Sequence, residues 1–396
     1  RYYPNIESYI ESGKKDRLFF LPTILLKNNY NSRINIANKS GRNFIYKFDY
    51  LKIVDYLFAL FYPFRIKKIS FKSFSFRGLN IEPILNYDFE SNISNSSTFE
   101  GLLNYRFFKR LKNKKINLDL VINWFENQLL DKGFNLGKNN YYPNVPSIGN
   151  IGYVPLFSYK DCQLQPTTLE EEMNTLPDKI SVIGKAIIPM IKKFNNLNII
   201  TAPAFRFSEQ YREVKYDNNN NKKKRILVAL PISINESIDI MKIVIEASDE
   251  LSHYNIDWEI RPHPSLKVNV VKNKTTNWPK SFKKSKGTFF DNISQIDLLV
   301  GNASSTSIES IAFGVPVVIV GSLNSITQNP ISDNIPSFMW DISYNMNDLC
   351  ECITKLVLEI NNDSKKKIID EGIKIKAEYF EPVNFKNVSN FLFNQD

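Results

Sequence analysis

The feature that most constrains this fold is a regular alternation of strand and helix patterns from residue 225 onward. Residues 226–230 form a short apolar run typical of a buried strand, and an amphipathic helix pattern follows it. Three more strand patterns occur downstream, at residues 256–260, 294–300 and 315–320. Because strands and helices alternate, the pattern predicts an α/β fold with a parallel, doubly wound sheet.

Two polar motifs follow strands of this pattern. Residues 261–264 read Arg-Pro-His-Pro, and residues 301–307 read Gly-Asn-Ala-Ser-Ser-Thr-Ser. The second motif opens a short helix predicted at residues 307–313, which Gly314 can end as a C-cap. Ligands of doubly wound sheets bind outside the carboxyl ends of the strands, so we expect both motifs to contribute to one site.

The hydroxyl-rich motif has the chemistry of a phosphate site. Backbone N–H groups at the start of a helix lack partners within the helix, and the helix dipole favours an anion there. Four consecutive hydroxyl residues exceed what one N-cap needs, and a glycine permits close approach of a ligand. The residues predicted to bind phosphate are Gly301, Ser304, Ser305, Thr306 and Ser307.

The other motif places a histidine between two prolines. The prolines stiffen the turn and aim the side chain of His263, which a plain surface turn does not require. An imidazolium can neutralise a departing phosphate and donate a proton to it. Arg261 is either a strand-end surface residue or a guanidinium that grips phosphate. His253, at a predicted helix end, is interpreted as structural.

The first half of the chain reads as mixed α/β, with a strand pattern at residues 18–26. Residues 117–132 show a helical pattern that Gly133 would close. Glu126 lies on this strongly apolar pattern, and burial of an ionised carboxylate is costly. The residue therefore either faces solvent or is held for chemistry. We predict Glu126 as the general base or nucleophile, with Asp131 as the alternative.

A length of 396 residues with 43% hydrophobic content has room for two domains. A polar, low-complexity stretch supplies the predicted boundary between them. We predict a first Rossmann-like domain at residues 1–205 and a linker or surface loop at residues 206–224. A second Rossmann-like domain is predicted at residues 225–375, followed by a helical tail at residues 376–396 that packs back on the first domain.

Charge and composition narrow the possible partners. The net charge of +10, from 51 Lys+Arg and 41 Asp+Glu, favours a negatively charged partner. The basic runs lack the interleaved aromatic residues of a stacking surface, so no nucleic acid is expected. Three unspaced cysteines and two histidines argue against a disulfide framework and a histidine-based metal site. No apolar run approaches the roughly 18–20 residues of a membrane helix. We expect a cytoplasmic protein with peripheral contact to the inner face of the membrane.

The motifs together resemble those of GT-B glycosyltransferases, which have two Rossmann-like domains facing across a cleft. His263-Pro264 and Ser304-Ser305 resemble motifs of bacterial sialyltransferases, polysialyltransferases and Kdo transferases, which use CMP-activated sugars. Three segments of the first domain, at residues 124–128, 131–137 and 202–207, resemble parts of bacterial proteins that make surface carbohydrates. Those carbohydrates are O-antigen or capsule. The resemblance implies an acceptor site in the first domain and a nucleotide-sugar site in the second.

The resemblance also implies roles for individual residues. His263 would contact the donor phosphate or protonate it as it leaves. Ser304 and Ser305, with the amides that follow them, would hold that phosphate. Glu309 would bind the ribose of the nucleotide, although a solvated glutamate in the first helical turn is the plainer interpretation. The turn at residues 314–316 is similar to one that closes the nucleotide pocket in many of these enzymes.

These observations predict transfer of a nonulosonic acid or Kdo-like sugar from a CMP donor to a surface glycan or its lipid-linked precursor. No Asp-x-Asp metal clamp lies near the donor motifs, so we expect no metal and no cofactor beyond the co-substrate. One alternative is a UDP-sugar transferase or an enzyme like UDP-GlcNAc 2-epimerase. An alternative of another class is a polyanion- or glycan-binding protein with a vestigial donor site.

Overall fold

The structure is a computed structural model that describes residues 3–23, 30–67, 69–156, 165–192, 195–213, 223–302, 304–322 and 326–393. Its strands in chain order are β1 Ser75–Phe76, β2 Leu79–Asn80, β3 Val121–Trp124, β4 Ser147–Ile151, β5 Lys179–Val182, β6 Asn198–Thr201, β7 Lys224–Ala229, β8 Ile256–Arg261, β9 Lys283–Lys284, β10 Leu298–Gly301, β11 Val317–Val320 and β12 Trp340–Ser343.

The α-helices in chain order are α1 Ser12–Lys15, α2 Tyr30–Asn38, α3 Ile53–Leu60, α4 Tyr62–Ile66, α5 Glu82–Asn92, α6 Ser96–Asn113, α7 Leu129–Tyr141, α8 Thr168–Glu172, α9 Ile188–Ile191, α10 Ile234–Glu250, α11 Val268–Lys272, α12 Phe289–Asn292, α13 Ser305–Ala312, α14 Met346–Ile353, α15 Asn362–Tyr379 and α16 Phe385–Phe393. The chain also has a 3-10 helix at Phe205–Tyr211 and a π-helical turn at Thr354–Leu358.

The second half of the chain forms one six-stranded parallel sheet. Its strand order is β12-β11-β10-β7-β8-β9, which is the doubly wound order. The strand order reverses between β7 and β10, which pair in parallel. Apolar strands such as Val317–Val320 are buried on both faces by helices, which is why they read as continuous hydrophobic runs. The predicted doubly wound sheet is therefore confirmed.

The first half of the chain forms a four-stranded parallel sheet in the sequential order β3-β4-β5-β6. Two parallel α/β sheets confirm the predicted fold class, the GT-B arrangement. The prediction of a helix at residues 117–132 is wrong. Val121 and Ile122 pair with Ser147 and Ile148 as part of β3, because β-branched residues suit a sheet flanked on both sides. The apolar spacing fitted a helix only by coincidence.

The prediction that Gly133 ends a helix is also wrong. Gly133 lies inside α7, where it allows close packing against α6. A Cβ atom on Gly133 would lie 2.0 Å from the carbonyl oxygen of Gly101. The strand prediction at residues 18–26 also fails over the described part. Phe20 forms only an isolated bridge with Phe44, and Pro22 cannot donate to a strand ladder. Residues 24–26, like Cys162, lie outside the described residues.

Two chain segments cross between the sheets. The first is the helix Phe205–Tyr211, in which Phe207 is buried against Phe380 with ring centroids 5.1 Å apart. The second follows α15, where the N–H of Glu381 donates to Ile183 O (2.6 Å) and Glu381 O accepts from the N–H of Ala204 (2.9 Å). The chain therefore returns to the first sheet, where α16 packs with the amino-terminal residues in one hydrophobic cluster.

These crossings bear on the predicted domain boundaries. Residues 206–211 of the predicted linker form part of a 3-10 helix in which Phe207 and Gln210 are buried. Residues 214–222, the low-complexity part of that linker, lie outside the described residues.

Helix α3 is attached to α6 by a buried ion pair. Asp55 is fully buried and accepts from Arg106 Nε (2.6 Å) and from Arg110 Nε (2.6 Å) and Nη2 (2.8 Å). Burial by itself would raise the pKa of Asp55. The hydrogen bonds from Arg110, the backbone N–H of Lys52 and Arg106 outweigh that effect and lower the pKa to about 2.

We expect Asp55→Ala to destabilise the fold by about 3–5 kcal/mol, because it removes a fully buried carboxylate and leaves two partly buried guanidinium groups without their partner. Urea unfolding measures the change. The matched control is Asp119→Ala, which removes an exposed ion pair with Arg17 and is expected to cost less than about 1 kcal/mol. Equal effects of the two substitutions would show that Asp55 does not anchor α3.

Candidate functional site

The reversal point of the second sheet brings two helix starts together. Strand β7 leads to α10, whose N-cap Ser233 accepts from the N–H of Glu236 (3.4 Å). Strand β10 leads to α13. Gly301 ends β10 so close to β7 that a Cβ atom on it would lie 3.4 Å from Ala229 O. A crevice outside the carboxyl ends of β7 and β10 is where ligands of this topology bind.

The hydroxyl-rich motif forms the amino end of α13. Ser304 is the N-cap, and its Oγ accepts from the N–H of Thr306 (3.3 Å) and donates to Thr306 Oγ1 (3.0 Å). Ser307 is buried, and its Oγ donates to Asn302 O (3.5 Å). The first turn of α13 contains no acidic residue. This helix end therefore presents hydroxyl groups and a positive dipole with no carboxylate in its first turn, although one hydroxyl group, Ser305 Oγ, donates to Glu309 Oε1 one turn further along.

The neighbouring helix end differs. Glu236 lies in the first turn of α10, and its Oε2 accepts from Asn302 Nδ2 across the crevice (3.3 Å). A carboxylate at that position satisfies the dipole of α10. Of the two helix starts at the reversal point, the start of α13 is the one suited to an external anion.

Glu309 lies one turn into α13 and is buried. Its Oε1 accepts from Ser305 Oγ (3.1 Å), and the guanidinium of Arg206 and the amide of Gln210 lie near it from the crossing helix Phe205–Tyr211. Burial raises the pKa of Glu309 to about 7, although Ser305, Arg206 and Gln210 oppose the rise. The predicted ribose ligand thus faces the segment that joins the two sheets.

The structure places Arg261 and His263 at the carboxyl end of β8, two strands away from β10. At ordinary strand spacing this separation is roughly 10 Å. His263 Nδ1 accepts from the N–H of Ser265 (3.1 Å), which places the proton of a neutral ring on Nε2. Arg261 Nη1 donates to Gly287 O (3.2 Å), on the side of the outer strand β9. Burial lowers the pKa of Arg261, and Asp291 opposes that change.

The first sheet has its own cavity of about 280 Å³ at the carboxyl ends of β3 and β4. Glu126 lines it from the loop between β3 and α7, where Asn127 has a left-handed φ of 55°. Glu126 Oε1 accepts from Trp124 Nε1 (2.7 Å), and Oε2 accepts from Gln128 Nε2 (2.7 Å). Two neutral donors hold this carboxylate in place at the cavity wall.

Asp131 has a structural part in the same loop. Its Oδ2 accepts from the N–H groups of Gln128 (3.0 Å) and Glu126 (3.1 Å) as the carboxylate of the α7 capping box. Burial raises its pKa to about 6. Asp131 therefore positions the backbone of Glu126, whereas Glu126 itself lines the cavity.

The contacts divide the predicted site residues into two groups. Ser305 and Glu309 adjoin the crossing helix, whereas the contacts of Glu126 remain within the first sheet. Gln210 could not be identified from the sequence, because a lone glutamine in a polar stretch carries no signal. Arg206 belongs to residues 202–207, for which the sequence offers only a resemblance and no role for the side chain. Among the described residues, no group of three His, Cys, Asp or Glu side chains is arranged to hold a metal ion.

Comparison with known proteins gives a fold-level likeness only. No family model matches the sequence, and no curated protein matches it. Similar solved structures include S. aureus MnaA with UDP (12% identity, 90% of each chain covered, TM-score 0.49). CalG4, the calicheamicin glycosyltransferase, is 11% identical, with 91% of this chain and 87% of that chain covered and a TM-score of 0.48. Acinetobacter baumannii MurG is 13% identical, with 74% of this chain and 77% of that chain covered and a TM-score of 0.45. Likenesses this distant carry no argument about substrate or activity.

We expect Glu309→Gln to change how stability depends on pH. The folded pKa of Glu309, about 7, exceeds its ordinary value of 4.5, so the unfolded chain loses this proton first as pH rises. The wild-type protein should therefore lose stability relative to the Gln variant between about pH 4.5 and 7, on the order of 3 kcal/mol in all. Urea unfolding across this range measures the difference, and a constant difference would contradict the assignment.

Proposed function

We propose that this protein is a glycosyltransferase that uses a nucleotide sugar. The observation that carries the proposal is the amino end of α13, which lies at the strand-order reversal and is lined with hydroxyl groups. A helix start with no acidic residue in its first turn, beside a strand that ends in glycine, would accommodate a phosphate group. Ser304, Ser305 and Thr306, with the amides that follow them, are the phosphate ligands in this proposal, and buried Ser307 supports them through Asn302.

The leaving phosphate requires neutralisation as the bond from the sugar to the phosphate oxygen breaks. His263 is assigned to this phosphate: in the neutral ring Nδ1 accepts from Ser265 and Nε2–H can donate a hydrogen bond to a phosphate oxygen. To neutralise the phosphate or give it a proton, the ring would first have to become an imidazolium, which gives up the contact of Nδ1 with the N–H of Ser265 and returns to the neutral ring after the transfer. Arg261 at the end of the same strand would add positive charge. Glu309 either binds the ribose or links donor binding to the crossing helix that carries Arg206.

The acceptor is proposed to bind at the cavity of the first sheet. Its volume of about 280 Å³ is close to the lower end of the range for small-molecule pockets. Glu126 would take the proton from the attacking hydroxyl group or attack the anomeric carbon itself. Aromatic and apolar residues such as Tyr153 and Ile151 line the same cavity and can pack on a sugar ring.

The finer parts of the proposal follow from the sequence analysis. The donor is a CMP-activated nonulosonic acid or Kdo-like sugar, and a UDP-sugar is the alternative. The acceptor is a surface glycan or its lipid-linked precursor, which the protein would meet in the cytoplasm at the inner face of the membrane. A single helix start receives the phosphate, so transfer is proposed to proceed without a metal ion.

We expect Ser305→Ala to weaken donor binding about 10- to 100-fold, because it removes a hydrogen bond to a charged group. His263→Ala should lower kcat about 10²- to 10⁴-fold, because it removes a general acid. Nucleotide release from CMP-N-acetylneuraminate, CMP-Kdo and UDP-N-acetylglucosamine, with and without EDTA, measures both effects. The matched controls are Ser248→Ala on α10 and His253→Ala, which should behave like the wild type. Unchanged turnover in both site variants would refute the donor site.

Glu126→Gln should lower kcat about 10²- to 10⁴-fold with little change in KM for the donor, because the amide keeps an oxygen for Trp124 but cannot accept a proton. The same assay measures it, with the exposed Glu172→Gln on α8 as control. Transfer at the wild-type rate by this variant would show that Glu126 is neither the base nor the nucleophile. That result would not bear on the proposed donor site.

A further inference from the structure

Helix α3 has its polar and apolar sides reversed. Its acidic residue, Asp55, is fully buried, whereas Ile53 is 79% exposed and Leu60 is 59% exposed. A surface helix of a soluble domain normally turns its apolar stripe toward the core. Packing within this chain therefore does not account for the outward face of α3.

The same exposure continues along the chain through α4, the β1–β2 hairpin and α5. We call residues 53–87 the apolar arm. It carries thirteen of the twenty-nine large hydrophobic side chains that are exposed in the described part of the chain. Among them, Phe64 is 73% exposed, Leu79 is 70% exposed and Tyr87 is 75% exposed. Scattered apolar side chains on a surface need no explanation, but such a concentration marks a binding surface.

The apolar arm is attached firmly to the rest of the fold. The ion pairs of Asp55 attach α3 to α6, and Tyr62 Oη donates to Asn95 O (3.4 Å) just before α6 begins. Phe71 packs edge-on against Phe89 of α5 with ring centroids 5.7 Å apart. The exposed side chains therefore project from a fixed platform.

The charge of the arm bears on the kind of partner. Residues 53–87 contain two acidic residues, the buried Asp55 and the partly exposed Glu82, against five basic residues: Arg65, Lys67, Lys68, Lys72 and Arg77. Arg65 lies over the ring of Phe58, 4.3 Å from its centroid, so apolar and basic groups are interleaved. A partner must therefore accept apolar side chains and supply negative charge at the same surface.

We propose that the apolar arm docks this protein on a lipid bilayer that contains anionic lipids. Phenylalanine, leucine and isoleucine side chains would enter the interface while lysine and arginine side chains reach the headgroups. Helices α3 and α4 have eight and five residues, and no described helix is long and apolar enough to cross a bilayer. The contact therefore lies in the plane of the interface.

A second copy of this chain fits the arm less well than a bilayer does. A two-fold interface places the same patch of both copies together. It would bring Arg65, Lys67 and Arg77 of each copy close to the same residues of the other copy, and Glu82 is the one acidic residue of the arm outside the core that could compensate. Anionic headgroups remove that repulsion.

The position of the arm relates docking to the proposed acceptor cavity. Helix α3 packs on α6, and α6 packs on α7, which begins just after the loop of Glu126. A lipid-linked acceptor would thus be met by the domain that carries the cavity. The docking proposal does not rest on glycosyl transfer, because vesicle binding needs no donor and is measured without one.

Sedimentation with vesicles tests the proposal directly. We expect the full chain to bind vesicles of phosphatidylcholine and phosphatidylglycerol at least tenfold more tightly than vesicles of phosphatidylcholine alone. The charge variant Arg65→Ser/Arg77→Ser should bind about 25-fold more weakly, at about fivefold for each basic residue near an anionic surface. The apolar variant Ile53→Ser/Leu60→Ser/Phe64→Ser should lose at least tenfold on the same vesicles.

The matched control is Ile373→Ser, which replaces a side chain on α15 that is 58% exposed. It should bind like the wild type, and unchanged circular dichroism should show that all variants are folded. Equal loss in the control, or no binding of the wild type to either vesicle, would overturn the proposal. A wild-type dimer in sedimentation velocity that the apolar variant dissociates would identify the arm as an interface between copies instead.

Discussion

Parallel pairing of β7 with β10 is the constraint on which the location of the proposed site depends. Strand order reverses at this pair, so the connections that leave β7 and β10 run to opposite faces of the sheet and open a crevice between them. Both α10 and α13 begin at that crevice. Glu236 occupies one helix start, and a run of hydroxyl residues lines the other. This difference makes the start of α13 the position at which we propose that an anion binds.

A second structural feature is the pair of chain segments that cross between the two sheets. The crossing helix Phe205–Tyr211 and the segment after α15 run side by side, joined through Phe207 and Phe380. Glu309 reaches this link from the start of α13, with Arg206 and Gln210 opposite it. A buried carboxyl whose pKa is near 7 thus lies between the proposed donor site and the first sheet.

The second sheet could be predicted closely from the sequence, because buried parallel strands read as short apolar runs and turn residues mark their ends. The capping rules placed Gly314 just after α13, as the structure shows, whereas the helix begins at Ser305 with Ser304 as its N-cap, two residues before the predicted start at Ser307. The first sheet was harder to predict. Val121 and Phe125 are spaced as in a helix, yet backbone pairing with β4 makes β3 a strand. Exposure of α3 could not be foreseen either, since an apolar segment normally predicts burial.

The central claim, that the reversal point of the second sheet binds a nucleotide through its phosphate, is tested most directly by calorimetric titration with CMP, CDP, UMP and UDP, without and with Mg²⁺. The account predicts saturable binding that is independent of Mg²⁺. Preference for CMP would support a CMP-sugar donor, and preference for UDP would assign the alternative donor. Absence of binding by all four nucleotides would contradict the account and favour a protein that binds glycans or polyanions without transferring a sugar.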